Sequence, residues 1–295
     1  ALDTPLATPV GWTTMGSVAV GDQIIGSDGR PCRVIGKSEV HTGRPCYRVT
    51  LRDGTSVVAD EGHLWRARRR GGCGHGRGCR CAVRQGWATR RTRDMLDTRL
   101  TQASSRPSYH IPATQPLELP AGDLPLDPYV LGIWLGDGDE RNATIWGSAA
   151  DLPVIEGFLH EAGYRTTRCA TRPGAPPLSY VTLPDSRRGS HGDSMVGRLR
   201  SLGLLKNKHI PPQYLRASKA QRTRLLQGLM DADGSVGKSN ACCVFVNTSA
   251  ALIAGTAELL RTLGYMPTVS WRRDPRKATY LPVAKLTFSG SQELP

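Results

Sequence analysis

Two aspartates stand in matching settings, Asp137 in VLGIWLGDG (residues 130–138) and Asp233 in LQGLMDADG (residues 226–234), 96 residues apart. Each segment has the apolar character of a buried helix and stops at an Asp-Gly pair. Gly132 and Gly136 in one copy, and Gly228 and Ala232 in the other, form a small-xxx-small stripe that lets two helix backbones approach closely. Two such helices packed on each other bring both carboxylates to their C-terminal ends, the unfavourable end of the helix dipole for an anion. Crowded carboxylates also repel one another, so the arrangement calls for a cation. Oxygen ligands and an open face suit Mg²⁺, and such a pair organises metal-assisted phosphodiester hydrolysis. A single Asp-Gly is an ordinary helix-ending turn; two copies in matching contexts reverse the odds.

The elements around each copy recur as well. A strand-like stretch follows (143–146 and 242–246), then a helical pattern ending in Gly-Tyr (Gly163-Tyr164 and Gly264-Tyr265), then an alternating segment (180–183 and 285–288). Helix, strands, helix, strand repeated in this order predicts a duplicated α/β unit with pseudo-two-fold symmetry.

Charge is concentrated elsewhere. Of the formal net charge of +14, residues 66–106 hold twelve arginines against Asp94 and Asp97. Arg interleaved with Gly, Trp65 and Trp87 suits phosphate contacts, because each guanidinium offers a rigid fork of donors and neutralised phosphates release counterions. Arg68, Arg69, Arg70, Arg90, Arg91 and Arg93 are the candidate DNA-binding residues, against the alternative of a solvated basic loop without a partner. Cys73, His75, Cys79 and Cys81 put four soft ligands in nine residues of this stretch. Their C-x-H-x3-C-x-C spacing is not a standard zinc pattern and four ligands from one short loop are sterically demanding, so a flexible Gly/Arg loop is favoured over zinc.

With 295 residues, 39% of them hydrophobic, 33 Gly and 21 Pro, the chain fits two soluble globular domains and excludes collagen-like and wholly disordered classes. No apolar run reaches the ~18 residues that a membrane helix needs, and residues 1–5 have neither basic head nor apolar stretch. Neither a membrane nor secretion is expected. Eight unevenly spaced cysteines are not a disulfide scaffold and are read as reduced and intracellular.

At 226–234 the sequence is close to the LAGLIDADG signature of homing endonucleases, and 130–138 resembles its first, looser copy. The resemblance covers roughly residues 124–291. It implies a monomer with two αββαββα halves (about 124–200 and 201–291) and a saddle of antiparallel strands lying in the major groove of a long, asymmetric double-stranded DNA site. It implies Asp137 and Asp233 as the catalytic, metal-binding pair for Mg²⁺ or Mn²⁺, with Gly136 and Ala232 assigned to the same metal site. Lys208, in Lys208-His209-Ile210-Pro211, matches the Lys-x-Ile-Pro block where the family places a catalytic-site lysine that polarises a water or the scissile phosphate; an ordinary solvent lysine is the alternative. Lys277 and Lys285 are weaker candidates for the second equivalent.

Residues 1–65 read as short strands between turns at Gly21-Asp22, Ser27-Asp28-Gly29 and Arg52-Asp53-Gly54, an all-β module. The opening Asp3–Trp12 segment, with Val20–Ile24 behind it, resembles the first block of inteins, the self-excising protein-splicing elements, and Val57–Trp65 is similar to their second block. That likeness implies a Hint-type module in which His63 activates the upstream scissile peptide bond; a neutral His held by a rigid sheet can supply the general-acid role. The pattern departs from the usual one at Ala1, where most inteins have Cys or Ser, at Asp60, where Thr is usual, and at Trp65. Ala1 with Trp65 looks like the class 3 inteins, with engineered replacement of a nucleophile as the competing explanation, against which Trp65 argues. After Phe288 no C-terminal splicing region follows, so splicing is expected only with that missing segment, supplied together with the host exteins.

The expected organisation is therefore multi-domain: residues 1–123 as the N-terminal part of the splicing domain, with the basic insertion at 66–106, and residues 124–295 as the α+β endonuclease. Three readings compete: an intein-embedded site-specific endonuclease, a splicing element whose nuclease is degenerate, and a non-catalytic DNA- or RNA-binding module on the same saddle. The expected location is the cytoplasm of a bacterial or phage-infected cell.

Overall fold

The computed structural model describes residues 1–69, 86–96, 108–148, 150–169, 178–182, 194–237, 242–273 and 281–289. Arg70, the Cys73/His75/Cys79/Cys81 cluster and Lys277 lie outside the described residues. The chain divides into two compact units, Ala1–Gln115 and Pro116–Pro295.

The first unit is built from antiparallel hairpins. Strands β1 (Pro5–Thr8) and β2 (Gly11–Thr14) pair, as do β3 (Gln23–Ile25) with β4 (Pro31–Arg33) and β5 (Cys46–Thr50) with β6 (Ser56–Asp60). Turn glycines do the reversing: Gly29 and Gly54 take positive φ (81° and 86°), a conformation a Cβ disfavours. Strand β7 (Leu64–Arg69) lies between β8 (Ala88–Arg91) and β9 (Tyr109–His110), and the short helix α1 (Thr92–Leu96) follows β8. This short helix lies beyond residues 1–65, the stretch read as all-β from the sequence. Its core is thin, formed by Val18, Ala59, Ala67 and Met95 among the described residues.

In the second unit, α2 (Pro128–Asp137) starts at Asp127, whose side chain accepts from the Tyr129 and Val130 amides, with Pro128 at its first position. Strand β10 (Thr144–Trp146), α3 (Leu152–Glu161), β11 (Arg165–Cys169), β12 (Leu178–Thr182) and α4 (Met195–Ser201) follow. After α5 (Pro212–Leu215) comes α6 (Lys219–Asp233), opened by a capping box between Ser218 and Gln221. Then come β13 (Gly234–Val236), β14 (Cys242–Asn247), α7 (Ala250–Thr262), β15 (Thr268–Arg272) and β16 (Val283–Ser289). One sheet runs β10-β12-β11, extended by a bridge from Gly138 to Ile145; the other runs β13-β14-β16-β15. Both are antiparallel. A continuous core joins α2 and α6 to α3, α7 and the inner faces of the strands.

The unit division at Gln115/Pro116 lies ahead of the 123/124 boundary expected from the sequence. Hydrogen bonds explain it. The Leu117 amide donates to Thr262 O (2.8 Å), the buried Arg222 guanidinium donates to Leu117 O, Thr262 O and Ala217 O, and the Gln221 amide brackets Gly122 (3.0 and 2.7 Å). The Pro-punctuated segment after residue 115 is thus stitched to α6 and α7. No helix among the described residues is long and apolar enough to cross a membrane.

Candidate functional site

Helices α2 and α6 touch backbone to backbone. A Cβ placed on Gly132 would meet Leu225 O at 2.5 Å and Leu229 N at 2.8 Å; one on Gly228 would collide with Tyr129 O; one on Gly136 would collide with the Ala232 methyl. The small-residue stripe therefore does what its spacing predicts. Gly138 and Gly234 cap the two helices, yet neither takes a left-handed conformation (φ −77° and −96°). They are glycine because a Cβ would strike the Trp134 and Met230 carbonyls and side chains. The chain leaves each helix directly into the strand edge, and the aspartate before each cap is delivered to the same end of the seam.

Asp137 and Asp233 meet there closely enough to interact. Burial, and then the charge of Asp233, push the Asp137 carboxyl up to about 6 against an ordinary 3.8, with Lys208 partly offsetting both. One Asp233 oxygen accepts from Asn247 Nδ2 at 2.8 Å. Lys208 is delivered by the loop after α4, which Lys206, at φ 59°, anchors through its amide to Glu140 O (2.7 Å). Its ammonium donates to Gly136 O (3.1 Å) and Gly138 O (2.6 Å) and lies 5.2 Å from the centre of the Trp134 ring. It thereby caps the C-terminal carbonyls of α2, where a cation is favoured. Burial lowers its pKa, and the charges of Asp233, Asp137, Glu140 and Asp139 oppose that shift. Lys285 sits on the outer face of β16, opposite Val246 and Ser270, whereas Asn247 lies on the inner face opposite Ala284.

The donor set is hard oxygen throughout: two crowded carboxylates beside helix-terminal carbonyls, of which Gly136 O is already engaged by Lys208. It fits Mg²⁺ or Mn²⁺, which keep waters and complete their shell with phosphate. Among the described residues no group of three or more His, Cys, Asp or Glu is gathered to hold a metal.

In the first unit, His63 follows the β6 turn, with its amide on Asp60 O (3.2 Å). Its ring meets that of Trp65 edge-on, centroids 4.9 Å apart. Thr92, buried at the start of α1, accepts from Trp65 Nε1 (3.0 Å) and donates its own amide to His63 O (3.0 Å), tying the two together. The Ala1 ammonium donates to Val58 O (2.9 Å) on the strand leading to that turn.

The β8-β7-β9 sheet sorts the candidate arginines by strand alternation. Arg68 and Arg91 share its exposed face with Arg66, Thr89 and His110, and Arg68 lies 5.1 Å from the centre of the Trp87 ring. Arg69 and Arg90 occupy the other face with Tyr109, and Arg93 pairs with Glu61 at 3.5 Å. Arg66, Thr92 and Asn247 were missed in the sequence. The period-two alternation of β7 would have found Arg66; nothing local marks the long-range partners of Thr92 and Asn247.

Residues 220–294 match the LAGLIDADG-like domain family. Along its whole length the chain is similar, at 37% identity over 302 residues, to the replicative DNA helicase DnaB of Mycobacterium intracellulare, of which it spans 47%. A crystal structure of the Msm DnaB1 intein splicing domain bound with zinc matches 23% of this chain and 53% of its own at 60% identity, TM-score 0.22. The homing endonuclease I-DmoI in complex with DNA and Mn matches 56% of this chain and 89% of its own at 16% identity, TM-score 0.36.

Proposed function

We infer that this chain, an intein carrying a LAGLIDADG endonuclease, is a site-specific DNA endonuclease lodged in the protein-splicing element of a replicative DNA helicase, and that it cuts helicase alleles lacking the element. The observation that carries the reading is the seam of α2 and α6, which delivers Asp137 and Asp233 to one point beside Lys208. The two sequences α-β-α-β-β, each with an extra strand or bridge at its start, then form pseudo-symmetric αββαββα halves of a monomer. Their sheets make a saddle over the major groove of a long asymmetric site.

In this mechanism Asp137 and Asp233 would hold Mg²⁺ or Mn²⁺, which would supply charge neutralisation at the scissile phosphate and a more acidic water for in-line displacement. Lys208, held on Gly136 O and Gly138 O, would place a donor beside the carboxylate pair and the scissile phosphate. Gly136 and Ala232 set how closely the pair can approach. Arg66, Arg68 and Arg91 add phosphate contacts from the first unit. His63, oriented by Trp65 and Thr92, serves the splicing chemistry by donating to the scissile amide upstream of Ala1.

The test is incubation of the purified chain with plasmid carrying an uninterrupted helicase gene, with and without Mg²⁺, beside Asp137→Asn and Asp233→Asn. Discrete double-strand cuts that need the metal and vanish in both variants are expected. Salt-sensitive binding without cutting would instead assign a binding module or a decayed nuclease in a bacterial or phage-infected cytoplasm, and splicing of a helicase precursor would separate those two.

A further inference from the structure

Asn247 closes β14 on the inner face of its sheet, and its amide is held from both ends. Its Oδ1 accepts from the Ser249 amide at 2.8 Å, while its Nδ2 donates to Asp233 Oδ2 at 2.8 Å. Only the oxygen can accept from a backbone N–H, so the nitrogen is the atom facing the carboxylate. Strand register identifies the counterpart in the other half. Gly234 pairs with Phe245 and Gly138 bridges Ile145, so the residue two places beyond each is Asn247 in one half and Gly147 in the other. Gly147 has no side chain to reach Asp137, and a Cβ there would press on Leu152 Cδ2 at 2.8 Å. Among the described residues no side chain hydrogen-bonds to the Asp137 carboxylate.

We propose that Asn247 is a positioning residue that presets the Asp233 carboxylate for a divalent cation while Asp137 is left unrestrained, so that the two strands of a bound duplex are cut in a fixed order. The proposal rests on the nuclease reading above. A carboxylate with one oxygen tied to an amide donor loses rotational freedom and presents its other oxygen in a set direction, as partners behind metal ligands generally do. Asp137 must be ordered when metal and phosphate arrive, and the half-reaction that depends on that step is the slower one.

The experiment follows a supercoiled plasmid carrying the uninterrupted helicase gene, with nicks assigned to each strand by primer extension. Mn²⁺ affinity of the chain is measured alongside by electron paramagnetic resonance. Asn247→Ser keeps an acceptor for the Ser249 amide but is too short to reach Asp233; Ser249→Ala removes the cap of α7 and leaves the Asn247 amide in place. Wild type and Ser249→Ala should accumulate nicked circles cut on one strand. Asn247→Ser should lose the bias and bind Mn²⁺ roughly tenfold more weakly, the scale of such partner losses. Equal nicking of both strands by wild type, or unchanged Mn²⁺ affinity in Asn247→Ser, would overturn the proposal. A chain that nicks neither strand would sink the nuclease reading instead, and the Mn²⁺ titration would still decide for or against Asn247.

Discussion

Burial and the neighbouring Asp233 make the Asp137 carboxyl hold its proton up to about pH 6, whereas the unfolded chain releases it near 3.8. The folded state therefore binds more protons across that window, and the metal-free protein loses stability as pH rises through it. Above pH 6 the ionised pair is a standing repulsion. Asp137→Asn removes it, so the metal-free variant should melt about 2–4 °C higher than wild type at neutral pH, on the order of 1 kcal/mol once partial exposure is allowed for. Near pH 4 the gain should be gone. Mg²⁺ should raise the melting temperature of wild type and leave the variant where it was. A variant that melts lower than wild type at pH 7 in chelator would mean that the pair is not strained by its own charge.

At the scale of elements, the seam between α2 and α6 distinguishes two kinds of helical glycine. Gly132→Ala must push a methyl into Leu225 O and Leu229 N, which are backbone and cannot step aside, so denaturant melts should show a loss of about 1–3 kcal/mol. Gly157, on the exposed side of α3, has open space around it, and Gly157→Ala should gain roughly 0.5–1 kcal/mol from helix propensity. The exposed face of β7 and β8 makes a parallel division among arginines. Neutralising Arg68 and Arg91 together should reduce the salt slope of DNA binding by up to ~0.9 for each phosphate that is no longer neutralised, while Arg93→Ala, on a residue paired with Glu61, should change it less. Much of this was legible beforehand, because repeats, apolar stripes and glycine spacing are local patterns with a physical period. The Asp137/Asp233 meeting point follows from the stripe alone. What the sequence hides is the partner at long range: Asn247 reaches back fourteen residues to Asp233, and the two faces of the arginine-rich sheet depend on a register that composition does not specify.

The whole molecule is two units, and the physical start of the second lies where hydrogen bonding begins. Arg222, fully buried, meets three backbone carbonyls and, among the described residues, no carboxylate, and one of those carbonyls belongs to Leu117. A fragment beginning at Pro116 should therefore unfold at distinctly higher denaturant than one beginning at Leu124, which leaves a buried guanidinium one acceptor short at a cost of about 1–3 kcal/mol. Equal midpoints would show that residues 116–123 merely lie against the surface. The partner that ties down this proline-punctuated segment lies about a hundred residues away, which its composition does not show.

The bare backbone approach at Gly132 and Gly228 also makes the meeting point of the carboxylates sensitive to a single added carbon. The approach of the two helices is set by the absence of methyl groups at these two positions, where each Cβ would meet backbone atoms of the facing helix. A single added carbon at either glycine would force the two helices apart and with them Asp137 and Asp233, while the strand pairings of both sheets involve neither residue, so one small substitution there reaches the carboxylates through the backbone.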